Sequence, residues 1–160
     1  AHERTTIIEV MGRHCGDLAM FSSIAEGAEM TITYDYKVPD EVLFRKLRKL
    51  KAQRKSHAIV VVSENLLDVN ELAKRIEKET GFETRAEVLG RLQRGGSPSA
   101  FDRILASRLG SFAIESLVKG EAGFAAGWVR SETIATPLEE AIEMKRDTHQ
   151  PLSHLIDMLQ

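Results

Sequence analysis

EVMGRHCGD (Glu9–Asp17) and VLGRLQRGGSP (Val88–Pro98) are the two stretches of this chain equipped for chemistry. In each, an apolar segment runs into a glycine-containing turn that carries arginines. Such a turn gathers backbone N–H groups and guanidinium forks at one point, which is what a phosphate ester needs. Neither stretch is a nucleotide loop, because the sequence contains no G-x-x-x-x-G-K-[ST] and no G-x-G-x-x-G. The phosphate they point to therefore sits on a small substrate. Arg13 and Arg94 are the cations best placed to meet it, although Arg13 read alone also fits a surface loop. No C-x-x-C or H-E-x-x-H spacing suggests a metal. The single cysteine, Cys15, excludes an internal disulfide and suits a reducing cytoplasm.

These turns must be held by something, and the pattern around them supplies it. TTIIEV (5–10), MTITY (30–34), HAIVVVS (57–63) and TRAEVL (84–89) read as strands, the third as a continuous apolar run of the central parallel kind. Helical spacing occupies 17–27, 40–54 and 69–80, with Gly27 and Gly81 as stops. A long helix is expected from Ser97-Pro98 to about Lys119, then short strands over 122–129 and 132–136. Helices opened by Pro137 and Pro151 follow. Strand–helix alternation at this spacing predicts an α/β fold, a mostly parallel sheet with flanking helices. Ligands of such sheets gather at the carboxyl ends of strands. Met11-Gly12-Arg13 follows the first strand, Glu64 the third and Gly90–Gly96 the fourth, so the candidates share one sheet edge.

Composition is that of an ordinary globular domain: 160 residues, 42% apolar, 29% charged and a net charge of −2. Nothing in that balance favours nucleic acid or an anionic membrane. The stretch 45–55 holds seven basic residues, but only Phe44 of the apolar face lies near them, so a solvated helix face explains most of them. The longest apolar run, 58–62, is too short to span a bilayer. The start, AHERTT, is charged, shows no leader and lacks a methionine, which fits a piece of a longer chain. Trp128 is expected in the core.

Both arginine turns, and HAIVVVSE (57–64), ELAKRIEKETGFETRAEVLG (71–90) and FDRILASRLGSFAIESL (101–117), closely resemble the bacterial-type phosphofructokinase family. Family members are about twice this length, and the resemblance is to the C-terminal half. It implies a sugar-phosphate-binding α/β domain over 1–92. It also implies a helix-rich return segment over 93–160 that would pack against the absent nucleotide-binding half. The implied activity is ATP-dependent phosphorylation of fructose 6-phosphate, with Mg²⁺ accompanying the nucleotide. The catalytic base lies in the other half, so no catalytic residue is expected here and the fragment alone should be inactive. The alternatives are the pyrophosphate-dependent enzyme and a stand-alone sugar-phosphate-binding module.

The resemblance assigns substrate contacts to Met11, Gly12, Arg13, Glu64, Arg91, Leu92, Gln93 and Arg94. Arg91 departs from the histidine usual there. Arg4 and Arg85 match arginines that reach a neighbouring subunit's site, which implies a homo-oligomer, a tetramer by resemblance. A separate effector site for ADP or phosphoenolpyruvate is implied at Gly27, Ala28, Glu29, Gln53, Lys55, Ser56 and His57, with Glu29 as a candidate ligand for an effector-bound Mg²⁺. Gln53 and Ser56 depart from the lysine-rich family pattern. The expected setting is cytoplasmic.

Overall fold

The structure is a computed structural model and describes residues 4–144 and 150–158. The chain divides into two compact units, one of Ala1–Arg94 with Thr148–Gln160, the other of Gly95–Asp147. The division expected from sequence, 1–92 and 93–160, differs from this: the first boundary moves by two residues, and the last helix groups with the first unit.

In the first unit, β1 (Arg4–Val10), β2 (Met30–Ile32), β3 (His57–Ser63) and β4 (Glu83–Val88) form one sheet in the order β2-β3-β1-β4, every pair parallel. Side chains alternate across a strand, so Ile7, Ala58, Val60 and Val62 face one side and Ile8, Val10, Ile59 and Val61 the other. The first side is covered by α2 (Asp40–Ala52) and α3 (Val69–Thr80), which bury Leu43, Phe44, Leu47, Leu72 and Ile76 against it. Truncating one of these, such as Leu72→Ala, should cost about 2–5 kcal/mol. The second side meets α1 (Asp17–Glu26) through Ala19, and α1 also contacts α6 (Gln150–Met158).

The local reasons are legible. Asp68 caps α3 by accepting the N–H groups of Asn70 and Glu71 at 2.9 and 3.1 Å. Gly27 ends α1 at φ 66°, a conformation that costs a glycine little. β2 is shorter than the expected 30–34, because Thr33 leaves the ladder: its N–H donates to Tyr36 O, and its hydroxyl accepts from Tyr36 N–H.

Connections decide where the open crevice lies. The β1–α1–β2 crossover passes β3 in one direction, while β3–α3–β4 passes β1 in the other. The chain thus leaves β1 and β3 toward opposite faces, and the carboxyl ends of these two strands flank a switch point.

The second unit holds α4 (Ala100–Val118), the antiparallel hairpin β5 (Phe124–Val129) and β6 (Glu132–Pro137), and α5 (Leu138–Glu143). α4 begins two to three residues later than expected. Ser99 caps it in a reciprocal box, taking Asp102 N–H on its hydroxyl and donating its own N–H to Asp102 Oδ2. These bonds also hold the Asp102 carboxyl below its usual pKa, the Ser99 backbone bond foremost. The hairpin turns on Arg130 and Ser131, both at positive φ as a two-residue turn of this twist requires. Trp128 is half-buried rather than core, with the Arg108 guanidinium 4.9 Å from its ring centroid.

Candidate functional site

A cleft of about 660 Å³ opens at the switch point, lined by Met11, Gly12, Arg13, Leu18, Glu64, Arg91, Gln93 and Arg94. Its two main walls are the turn after β1 and the one-turn 3-10 helix Gly90–Gln93 after β4. Two hydrogen bonds from the first turn tie it to its neighbours. Met11 N–H donates to Gln93 Oε1 at 3.2 Å, and Gly12 N–H donates to Glu64 Oε1 at 3.1 Å. Gln93 is itself fixed by its amide nitrogen donating to Gly90 O at 3.0 Å. Glu64 N–H donates to Val10 O at 2.8 Å, so the β3 end is stitched to β1 where the carboxylate emerges.

Gly12 is required by geometry. Its φ is 143°, and an added Cβ would lie 2.2 Å from Cys15 O. The turn is closed by Cys15 N–H donating to Gly12 O at 2.6 Å. Arg13 follows at φ 43°, a left-handed conformation unusual for a residue with a Cβ. Backbone held this way concentrates where a site demands it.

Among the described residues, no carboxylate pairs with Arg13, Arg91 or Arg94. Arg94 instead rests its Nε against Met11 Sδ at 3.3 Å. Three guanidiniums without acidic partners around one cleft create an anion site. Glu9, one position before the β1 end, has its pKa raised by burial first, then by the charges of Glu64 and Asp68.

Most of the sequence-derived substrate residues therefore meet in one cleft. Leu92 does not: it is 89% exposed and does not line it. Leu18, in the first turn of α1, does line it and was missed. Its only sequence signal was its place one residue after the Gly16-Asp17 helix start. Arg4 and Arg85 lie elsewhere. Arg4 opens β1 at the amino end of the sheet, about 20 Å from Met11 at the rise of a parallel strand. Arg4 and Arg85 both donate to Glu83 Oε1, at 2.9 and 3.1 Å. Partial desolvation pushes the Glu83 pKa up, but the charges and hydrogen bonds of Arg4 and then Arg85 hold it below the usual carboxylate value.

The residues expected to bind an effector gather at the amino edge. Glu29 is 2% exposed. One of its oxygens accepts Ile59 N–H at 2.5 Å, and the other meets Lys55 Nζ at 2.5 Å. Gly27, Ala28, Gln53, Ser56 and His57 flank this pair in sequence, and Ser56 Oγ lies 3.3 Å from His57 Nδ1. As arranged, Glu29 does not fit a Mg²⁺ ion, which would have to displace the Lys55 ammonium from a buried carboxylate. No group of three or more His, Cys, Asp or Glu side chains among the described residues could hold a metal. No described helix is long and apolar enough to cross a membrane.

An all-parallel open sheet with an arginine-lined cleft at its switch point defines an open-sheet α/β domain. The phosphofructokinase family model matches residues 1–117, and the chain belongs to that family. It is 49% identical to the ATP-dependent 6-phosphofructokinase of Photobacterium profundum, over 99% of this chain and 50% of that protein. To the enzyme of the same description from Vibrio campbellii it is 44% identical, with the same coverage. Among solved structures it superposes on phosphofructokinase from Saccharomyces cerevisiae with a TM-score of 0.79 at 27% identity, covering 99% of this chain and 22% of that one. For the T-state enzyme of Pichia pastoris the values are 0.74 and 27%, covering 99% and 18%. The chain thus spans about half the length of the curated relatives it matches.

Proposed function

We propose that this chain is the fructose 6-phosphate-binding, C-terminal half of an ATP-dependent 6-phosphofructokinase. The observation that carries the reading is the convergence of Arg13, Arg91 and Arg94, none paired with an acid among the described residues, on the cleft that Gly12 and Glu64 close. The arginines neutralise the 6-phosphate. Arg91 does so at any physiological pH, because a guanidinium does not titrate there. Gly12 N–H spends itself on one Glu64 oxygen, and the other is left to accept a sugar hydroxyl. Fixed in this way, the 1-hydroxyl is presented to the half of the enzyme that binds the nucleotide. The contribution of this chain is positioning and charge neutralisation rather than proton transfer. Magnesium accompanies the nucleotide there, and no residue of this chain is needed to hold it.

Arg4 and Arg85 sit at the opposite edge of the sheet from the cleft, too far to touch the same phosphate within one chain. Their role is to complete a second copy's cleft, which makes the working protein an oligomer, a tetramer on the family pattern. Phe101, Ile104, Ile114 and Leu117 of α4 are more than half exposed and supply an apolar surface for the rest of the subunit. The amino-edge group around Lys55 is the effector site, where a phosphate would have to take Lys55 from Glu29. The setting is cytoplasmic.

Calorimetric titration of the protein with fructose 6-phosphate tests the reading. Saturable binding is expected, lost with unphosphorylated fructose and lost in Arg94→Ala. The 160-residue chain mixed with ATP, Mg²⁺ and fructose 6-phosphate should give no turnover. Binding that ignores the phosphate, or turnover by this chain surviving a contaminant control, would sink it.

A further inference from the structure

A second cleft, of about 420 Å³, lies beside the first on the β2 side of Arg13. Ile32 at the end of β2 supplies a buried part of its wall, and Val38, Leu66 and Leu67 add partly buried apolar surface. These four are the edge of the main core, left uncovered where β2 and β3 end. Over them stands an aromatic corner: the His14 and Tyr34 rings meet edge-on at 5.0 Å and 80°. Arg13 and Lys37 stand at the cleft, the Lys37 ammonium 6.0 Å from the Tyr34 ring centroid. Neither cation has an acidic partner among the described residues, and no acidic residue lines the cleft. Asn65 on the far wall is held at φ 62°, as Arg13 is held at 43°.

Each feature constrains the occupant. Two unpaired cations and no carboxylate select an anion. An aliphatic floor under an aromatic corner selects a flat, apolar body, which a sugar with a hydroxyl on every carbon is not. The volume is that of a small-molecule site rather than of an ion. We infer that this cleft binds a second ligand, an anionic group carried on a planar aromatic ring, separately from the sugar-phosphate cleft.

The probe is 1-naphthyl phosphate, followed by its own fluorescence as it is titrated into the protein. Inorganic phosphate and 1-naphthol carry the charge and the ring alone. Saturable binding is expected, with each half-probe weaker by about tenfold or more. Lys37→Gln and Tyr34→Ala should each weaken the probe by a similar factor, while Arg94→Ala, in the neighbouring cleft, leaves it unchanged. Lys37 and Tyr34 are exposed, so folding of both variants is secured by their thermal melts, and Tyr34→Phe should bind as the parent does. The inference is overturned by three results: no saturation at millimolar probe, binding indifferent to Lys37→Gln and Tyr34→Ala, or binding lost in Arg94→Ala.

Discussion

Gly12 and Glu64 face each other across the crevice between β1 and β3, joined by a backbone N–H to Oε1 hydrogen bond of 3.1 Å. One carboxylate therefore shapes the turn that carries Arg13 and also offers its remaining oxygen to a ligand. The two roles separate by substitution. Glu64→Gln keeps an acceptor for Gly12, so the turn should hold and sugar binding should weaken by about tenfold through the lost charge-assisted bond. Glu64→Ala leaves Gly12 N–H unpaired and should also lower the melting temperature. Equal stability of the two variants would show that the bond does not hold the turn. Gly12→Ala should be worse than either, because its Cβ collides with backbone.

Glu9 supplies the pH dependence. Its folded pKa lies above its ordinary value, through burial first and then through repulsion from Glu64 and Asp68. The native state therefore holds the Glu9 proton more tightly than the unfolded chain does. Stability from this group is present below the unfolded pKa and is lost as pH rises toward the folded one. At neutral pH the ionised group opposes folding. Glu9→Gln should raise the melting temperature at pH 7 and leave it unchanged well below the carboxylate range. Because Glu9 is partly exposed, screening holds the gain under about 1 kcal/mol. Denaturant titrations of both proteins across that range measure it, and a gain that grows toward low pH would contradict the assignment.

Much of this was legible in the sequence because local signals agreed with each other. HAIVVVS and the Val69–Thr80 pattern became β3 and α3 at the expected residues, since an unbroken β-branched run and a strongly amphipathic one leave little choice. The shared edge of Arg13, Glu64 and Arg94 followed from the place of each just after a strand of a parallel sheet. What escaped was set by tertiary partners. Nothing local shows that Thr33 will bond Tyr36 and end β2, or that Leu18 will turn to the cleft while Leu92 points away. Trp128 looked like core by residue type, yet Arg108 stacks on it at a half-open surface. The resemblance put Glu29 and Lys55 in one site, but their direct ion pair spans 26 positions and periodicity cannot report it.

Arg94 and Arg13 are distinguishable despite their common charge. Of the two clefts, Arg94 lines the one beside Glu64 but not the one beside Tyr34, whereas Arg13 lines both. In the complete enzyme, Arg94→Ala should raise KM for fructose 6-phosphate by about 10–100-fold, the loss of one or more charge-assisted bonds, with KM for ATP nearly unmoved. Arg13→Ala should do the same and also weaken 1-naphthyl phosphate. Steady-state kinetics with each substrate varied in turn give the split. Equal damage to both substrates would point to misfolding or to a nucleotide role.

Lys55 is expected to couple stability and regulation. Its ammonium is the cation beside the buried Glu29 carboxylate, at 2.5 Å, and Lys55 itself is about one-third exposed. Removing it in Lys55→Ala leaves a buried charge compensated, among the described residues, only by Ile59 N–H, a loss of up to about 3 kcal/mol once the exposure of the lysine is allowed for. Glu29→Gln in the same chain removes that charge and should restore much of the lost stability. The double variant then separates folding from ligand binding. If the amino edge is the effector site, the double variant should fold, turn over normally in the complete enzyme, and fail to respond to ADP or phosphoenolpyruvate, because no ammonium remains to take the phosphate. A double variant that keeps its effector response would place the regulatory contact elsewhere. A parent enzyme with hyperbolic kinetics untouched by either compound would leave Lys55–Glu29 as a structural pair alone.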